Sequence, residues 1–167
     1  MAPKKPRRNK TVKSAPPPTP KKQLDGFIAK YSPVVAKTAK AALETMRRRL
    51  PGAIELVYDN YNALAIGFSP TEKTSDAVFS IALWPRWVSL FFLQAEGLSD
   101  HKNLLQGEGK TARHIVLETP DVLDKPAVRE LMILALDRAK TPMPKEGGGK
   151  IVVKSISAKQ KPRRPTK

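Results

Sequence analysis

The apolar positions of this chain change period twice. Leu24, Phe27, Ile28 and Tyr31 recur at helical spacing, and so do Val35, Ala39, Ala42, Leu43, Met46 and Leu50. Between the two sets, Ser32 and Pro33 read as an N-cap followed by proline at the first helical position. This predicts helices over 23–31 and 33–50. Arg47, Arg48 and Arg49 complement the negative end of the second helix, and Pro51-Gly52 stops it. From Ile54 the pattern becomes that of strands. Ile54 to Tyr58, Ala63 to Phe68, Ala77 to Leu83 and Trp87 to Leu93 are rich in β-branched and aromatic residues, and turn residues divide them. Arg113 to Glu118 predicts a fifth strand. Helical period returns over Pro126 to Ala139, with Val128, Leu131, Met132, Ala135, Leu136 and Ala139 on one face.

In the second strand run, bulky Leu64, Ile66 and Phe68 alternate with Ala63, Ala65 and Gly67, so one face is small, as where something approaches closely. The third and fourth runs are apolar on both faces. They predict central strands joined tightly through Trp84-Pro85-Arg86. Helix, helix, strands in a row and helix, in that order, predict an α+β domain. Its sheet is single and antiparallel, of about five strands, with the N-terminal helices and the C-terminal helix grouped on one side. Gly147 to Gly149 reads as a hinge, and Ile151 to Ile156 as a candidate extra strand before the chain turns basic again.

Charge sharpens the division. Residues 1–22 hold eight Lys or Arg and no acid, and residues 140–167 hold nine against the single acid Glu146. The stretch between them has fourteen of each sign, so the formal net charge of +16 comes from the two ends, +8 from each. Three parts follow: a disordered, Pro-rich basic tail over 1–22, a folded domain over 23–139, and a hinge, candidate strand and basic tail over 140–167. The absence of cysteine excludes disulfides, thiolate metal sites and cysteine nucleophiles, and fits a reducing compartment. No apolar run follows the first basic residues, as a secretory signal requires. The prolines of 16–20 oppose an amphipathic transit helix, and no stretch approaches the ~18 apolar residues of a membrane span. These features predict a soluble, cytoplasmic protein with no membrane partner.

Familiar reaction chemistry is scarce. "GEGKT" at 107–111 lacks the glycine of a phosphate-binding loop, since Leu104 stands in its place, and the residues that follow read as a strand rather than a helix. His101 and His114 are thirteen positions apart, with only scattered carboxylates to help either bind a metal, so the metal site stays unassigned. Ser69 is followed by Pro70 and Thr71, which rules out a nucleophile elbow. One set of residues suggests a ligand pocket. Lys110, Arg113 and His114 crowd one loop–strand junction, Tyr58, Asn60, Tyr61 and Asn62 a second, and Trp84 and Trp87 a third. Aromatic rings and donors at loop ends suit a small anionic or planar ligand; the bland alternative is rings buried with their polar tips in water.

The basic ends suggest polyanions. Lys4, Lys5, Arg7, Arg8 and Lys10, with Lys161, Arg163 and Arg164, have almost no acids near them, and arginine suits phosphate geometry. The tails contain no aromatic residue, so the expected contact is nonspecific nucleic-acid binding that salt weakens, without base stacking.

Several central segments resemble the YdhG-like domain, a bacterial α+β family of undefined function. They are "YSPVVAKTAKAALETMRRRLPGAIELVYDNYNALAIGF", "FSIALWPRWVSLFFL", "LLQGEGKTARHIVLE" and "LDKPAVRELMILAL". The resemblance spans roughly residues 24 to 139 and leaves out both ends. It implies a curved antiparallel sheet covered by helices, without a catalytic set. Some members of the family carry the label frataxin-like intracellular iron chaperone, so it also implies iron as a candidate cofactor. This chain departs from the carboxylate-rich surface iron requires, because its core is charge-balanced and its ends repel cations.

Three functional readings follow. The first is a non-enzymatic YdhG-like binding module for a metal such as iron or for a small ligand. The second is a nucleic-acid-associated protein that uses its basic tails. The third is a small enzyme with a site near Lys110, Arg113 and His114 and the Tyr58–Tyr61 turn.

Overall fold

In the computed structural model, which describes residues 16–166, the first helix, α1 (Pro20–Ala29), starts three residues earlier than the apolar spacing predicts. The reason is local. Thr19 caps it, its hydroxyl accepting from the Lys22 amide at 3.2 Å, and Pro20 takes the first turn. Ser32 does the same for α2 (Pro33–Arg49), and Leu50 closes that helix. The basic segment 1–22 therefore gives up its last residues to a helix, and residues 1–15, with Lys4, Lys5, Arg7, Arg8 and Lys10, lie outside the described residues.

Six strands form one mixed sheet: β1 (Ile54–Asp59), β2 (Leu64–Ser69), β3 (Phe79–Leu83), β4 (Val88–Phe92), β5 (Arg113–Leu117) and β6 (Ile151–Ile156). Their spatial order is β5-β4-β3-β2-β1-β6. The first five pair antiparallel, as the short turns between most of them require. β6, the candidate extra strand, pairs parallel with β1, which corrects the expectation of a purely antiparallel sheet. Parallel pairing needs a long crossover, and the chain from β2 to α3 (Pro126–Asp137) provides it.

Gly147 to Gly149 is not a free hinge. A Cβ on Gly148 would lie 2.4 Å from the carbonyl carbon of Gly52 and 2.5 Å from the oxygen of Ala53, so only glycine fits there. The amides of Gly148 and Gly149 donate to Pro51 and Ala53 at 3.0 and 3.1 Å. The glycines press the chain against the α2–β1 turn and deliver β6 into register beside β1.

One face of the sheet carries the core. Val57, Ile66, Ile81, Leu90 and Ile115 face each other across successive strands. They pack with Leu24 and Ile28 of α1, Ala39, Leu43 and Met46 of α2, and Val128, Leu131 and Met132 of α3. The helices are thus gathered on one side, as expected. The opposite face runs through Leu56, Gly67, Ser80, Phe91 and His114. Its small residues have a visible cause. The β2–β3 link folds over them, with the Ala77 Cβ 3.7 Å from where a Cβ on Gly67 would stand, and the Tyr58 hydroxyl hydrogen-bonds that of Thr74 in the same link.

Alternation along β1 puts two carboxylates on the core side with Val57. Glu55 is held by Arg47 of α2 through two hydrogen bonds of 2.9 and 2.8 Å. The Glu55 hydrogen bond raises the guanidinium pKa of Arg47 against the opposing effect of burial. The other carboxylate is Asp59, fully buried, and its partner comes from the far end of the chain.

Candidate ligand site at one end of the sheet

Antiparallel pairing places the β1–β2 turn (60–63) and the β3–β4 turn (84–87) at the same end of the sheet. Because β6 runs parallel to β1, the chain leaves β6 at that end too. Residues 157–166 then cross the turns as a strap. Ser157 donates its amide to Asp59 O at 2.8 Å, Lys161 to Tyr61 O at 2.9 Å, and Arg164 donates its Nε to Lys30 O at 3.2 Å.

Arg163 anchors the strap. It is 6% exposed, and its Nη2 reaches Asp59 Oδ1 at 2.9 Å and the carbonyl of Asn60. Its guanidinium lies 5.7 Å from the centre of the Tyr31 ring. The Tyr31 hydroxyl donates to Leu83 O and accepts from the Leu64 amide, both at 3.0 Å, tying the end of α1 to β2 and β3. Burial raises the pKa of this hydroxyl, partly offset by the nearby Arg163 charge. Residues 157–166 are therefore not a free basic tail, and the assignment of Arg163 to polyanions is corrected with that reading. A buried carboxylate needs a cation close by; the half-exposed Lys30 stands 3.6 Å from Asp59 Oδ2, and Arg163 is drawn inward to Oδ1 at 2.9 Å.

The neighbours of Arg163 stay outside. Lys161 and Arg164 are exposed, and with Asn62, Trp84 and Arg86 they line a cavity of about 300 Å³ between the strap and the β3–β4 turn. Prolines at 85, 162 and 165 stiffen its walls, and among the described residues no carboxylate or histidine side chain lines it. Trp84 stacks on Trp87 across the turn at 5.8 Å between ring centres and 24° between planes. Lys161 also sits 5.6 Å above the half-exposed ring of Tyr61. On the other side of the turn, Arg86 and Trp87 line a second cavity of about 170 Å³ with Val34 and Thr38 of α2, Val116 and Glu118. Cations beside an indole and a side-chain amide hold a phosphate and stack a planar ring.

The other predicted site residues lie elsewhere. Arg113 pairs with Phe92, at the end of β4 away from Trp87. Lys110 is 3.6 Å from Glu96, Arg113 Nε donates to Gly109 O, and the His114 ring packs 5.1 Å from that of Phe91. Tyr58 and His114 share a sheet face, but β2, β3 and β4 separate their strands, a gap of about 19 Å at ~4.8 Å per strand. Tyr58 is engaged with Thr74, and the side chain of Asn60 is exposed while its carbonyl accepts from Arg163. Lys110, Arg113 and His114 therefore do not converge with the Tyr58–Tyr61 turn. Among the described residues no three His, Asp or Glu side chains gather where they could hold a metal ion, so the donor set does not fit iron.

The sequence reasoning missed the Tyr31–Asp59–Arg163 cluster and the role of Arg86. A signal for the first was legible: alternation from Val57 points Asp59 into the core, where a charge demands a partner. Among the described residues no helix is long and apolar enough to cross a membrane. Compared with known protein families, curated proteins and solved structures, the chain matches none.

Proposed function

We propose that this chain is a non-enzymatic binding module whose ligand carries a phosphate and a planar ring, seated between Trp84 and the cations of the strap. The observation that carries this reading is the cavity of about 300 Å³ in which one indole faces Arg86, Lys161 and Arg164, with no opposing carboxylate side chain among the described residues. The α+β order of elements is compatible with a YdhG-like architecture. Iron delivery gains no support from the side chains, whereas phosphate binding matches both the local cations and the basic termini, which add sequence-blind attraction. The intrinsic fluorescence of the two tryptophans tests the reading, because Trp84 and Trp87 are the only ones in the chain. A nucleoside monophosphate should quench it saturably, the uncharged nucleoside should bind several-fold more weakly, and Arg164→Ala should weaken the nucleotide alone. Quenching that is equal for the charged and uncharged ligands, or absent for both, overturns it.

A further inference from the structure

We infer that the ligand is a single-stranded nucleic acid that crosses the β3–β4 turn and occupies both cavities, rather than a free nucleotide held in one. This rests on the reading of the Trp84 cavity as a phosphate-and-ring site. Two stacked indoles, 5.8 Å apart, line different cavities: Trp84 the larger and Trp87 the smaller. Arg86 belongs to both linings, so one exposed guanidinium stands between them. The two cavities differ in chemistry. The larger is cationic and suits a phosphate with its attached ring. The smaller is walled by Val34, Trp87 and Val116, and among the described residues Glu118 is the one carboxylate side chain of either lining, which keeps phosphate out and leaves room for a base. A repeating chain of rings and phosphates matches that alternation of stacking surface, cation and stacking surface, and a single nucleotide leaves half of it empty. A duplex keeps its bases stacked inside and offers no ring to either indole. Stacking is tolerant of base identity, so the contact is expected to have little sequence preference.

The experiment titrates the full chain at low salt with three probes, a nucleoside monophosphate, an eight-nucleotide single strand and the matching duplex. Tryptophan fluorescence is followed throughout, with anisotropy of labelled strands read in parallel. The single strand is expected to quench both indoles and to bind about tenfold or more tightly than the mononucleotide, because its second contact is intramolecular. It should also out-compete the duplex. If the mononucleotide quenches as fully and binds as tightly as the strand, this inference fails while the phosphate-and-ring reading stands. If neither quenches, both fail. If the strand binds by anisotropy but leaves the tryptophans unquenched, the basic termini alone hold it and the path across the turn is refuted.

Discussion

At one end of the sheet Trp84, Arg86, Lys161 and Arg164 surround a cavity; at the other, Lys110, Arg113 and His114 are each engaged with a neighbour. Their residue types are alike, with aromatic rings, cations and tight turns at both. The difference lies in what crosses each end. The first is crossed by the strap, which is basic and brings its own cations without carboxylates. At the second, the loop before β5 brings Glu96 to Lys110 and a backbone carbonyl to Arg113. A cation becomes available to a ligand when the fold leaves it without an internal partner, so composition alone does not identify a site. Arg163 and Arg164 make the same point one residue apart. Arg163 is spent on Asp59, and Arg164, whose protein contact is a backbone carbonyl, faces the cavity.

The strongest way to break this comparison is to remove the anchor. Arg163→Ala leaves buried Asp59 with only the half-exposed Lys30, 3.6 Å away, as a cation, and is expected to cost up to about 3–5 kcal/mol in urea unfolding. Pairing Arg163→Met with Asp59→Asn should restore much of that loss, because it removes both charges together. A single substitution that costs less than ~1 kcal/mol would mean that the strap is not held by the ion pair.

Tyr31→Phe tests the next layer. It strands the Leu64 amide in the core and should cost about 1–3 kcal/mol. It should also flatten the alkaline limb of stability. The pKa of Tyr31 is raised in the folded state, so its contribution is complete below about pH 10 and fades as pH rises through the higher folded value. The wild-type chain should therefore lose stability more steeply above pH 10 than Tyr31→Phe does. Parallel curves for the two proteins would remove Tyr31 from the account.

At the cavity itself, Trp84→Ala is expected to weaken single-strand binding by about 1–3 kcal/mol, or roughly 5–150-fold, at fixed salt. Arg164→Ala should lower the slope of log affinity against log salt by about 0.7, one phosphate contact on a single strand. Fluorescence-detected titrations at several salt concentrations measure the second, and anisotropy the first. The smallest effect belongs to the other end. Lys110→Ala should change both stability and ligand affinity within about 0.5 kcal/mol, as an exposed ion pair does. A loss of binding there would erase the distinction between the two ends.

Much of the architecture was legible in the chain. Ser32-Pro33 announced the start of α2, and the apolar runs around Trp84-Pro85-Arg86 marked β3 and β4 as inner strands. Thr19-Pro20 is the same start signal as Ser32-Pro33. It was overlooked because the apolar stripe of α1 begins only at Leu24, and caps belong to backbone geometry rather than to burial. The candidate strand 151–156 formed as composition suggested, but nothing local distinguishes a strand that pairs parallel with β1 from one that pairs elsewhere. The site was legible only in fragments. Trp84, Trp87, Tyr61, Lys161 and Arg164 were all candidates, but they were assigned to two unrelated features, a pocket and a tail.

The amino-acid order by itself determined which segments are helices and which are strands, because hydrophobic period, caps and turn residues act over a few positions. It also set the excess of cations at both termini. Tertiary structure alone decided that β6 lies beside β1, that Arg163 turns inward while Lys161 and Arg164 do not, and that the strap faces Trp84. The first rests on backbone pairing and the close packing of Gly148 on the α2–β1 turn, and the inward turn of Arg163 on a carboxylate more than a hundred residues away that water no longer solvates. A buried charge selects its partner by what can reach it in space, and spacing along the chain carries no record of that.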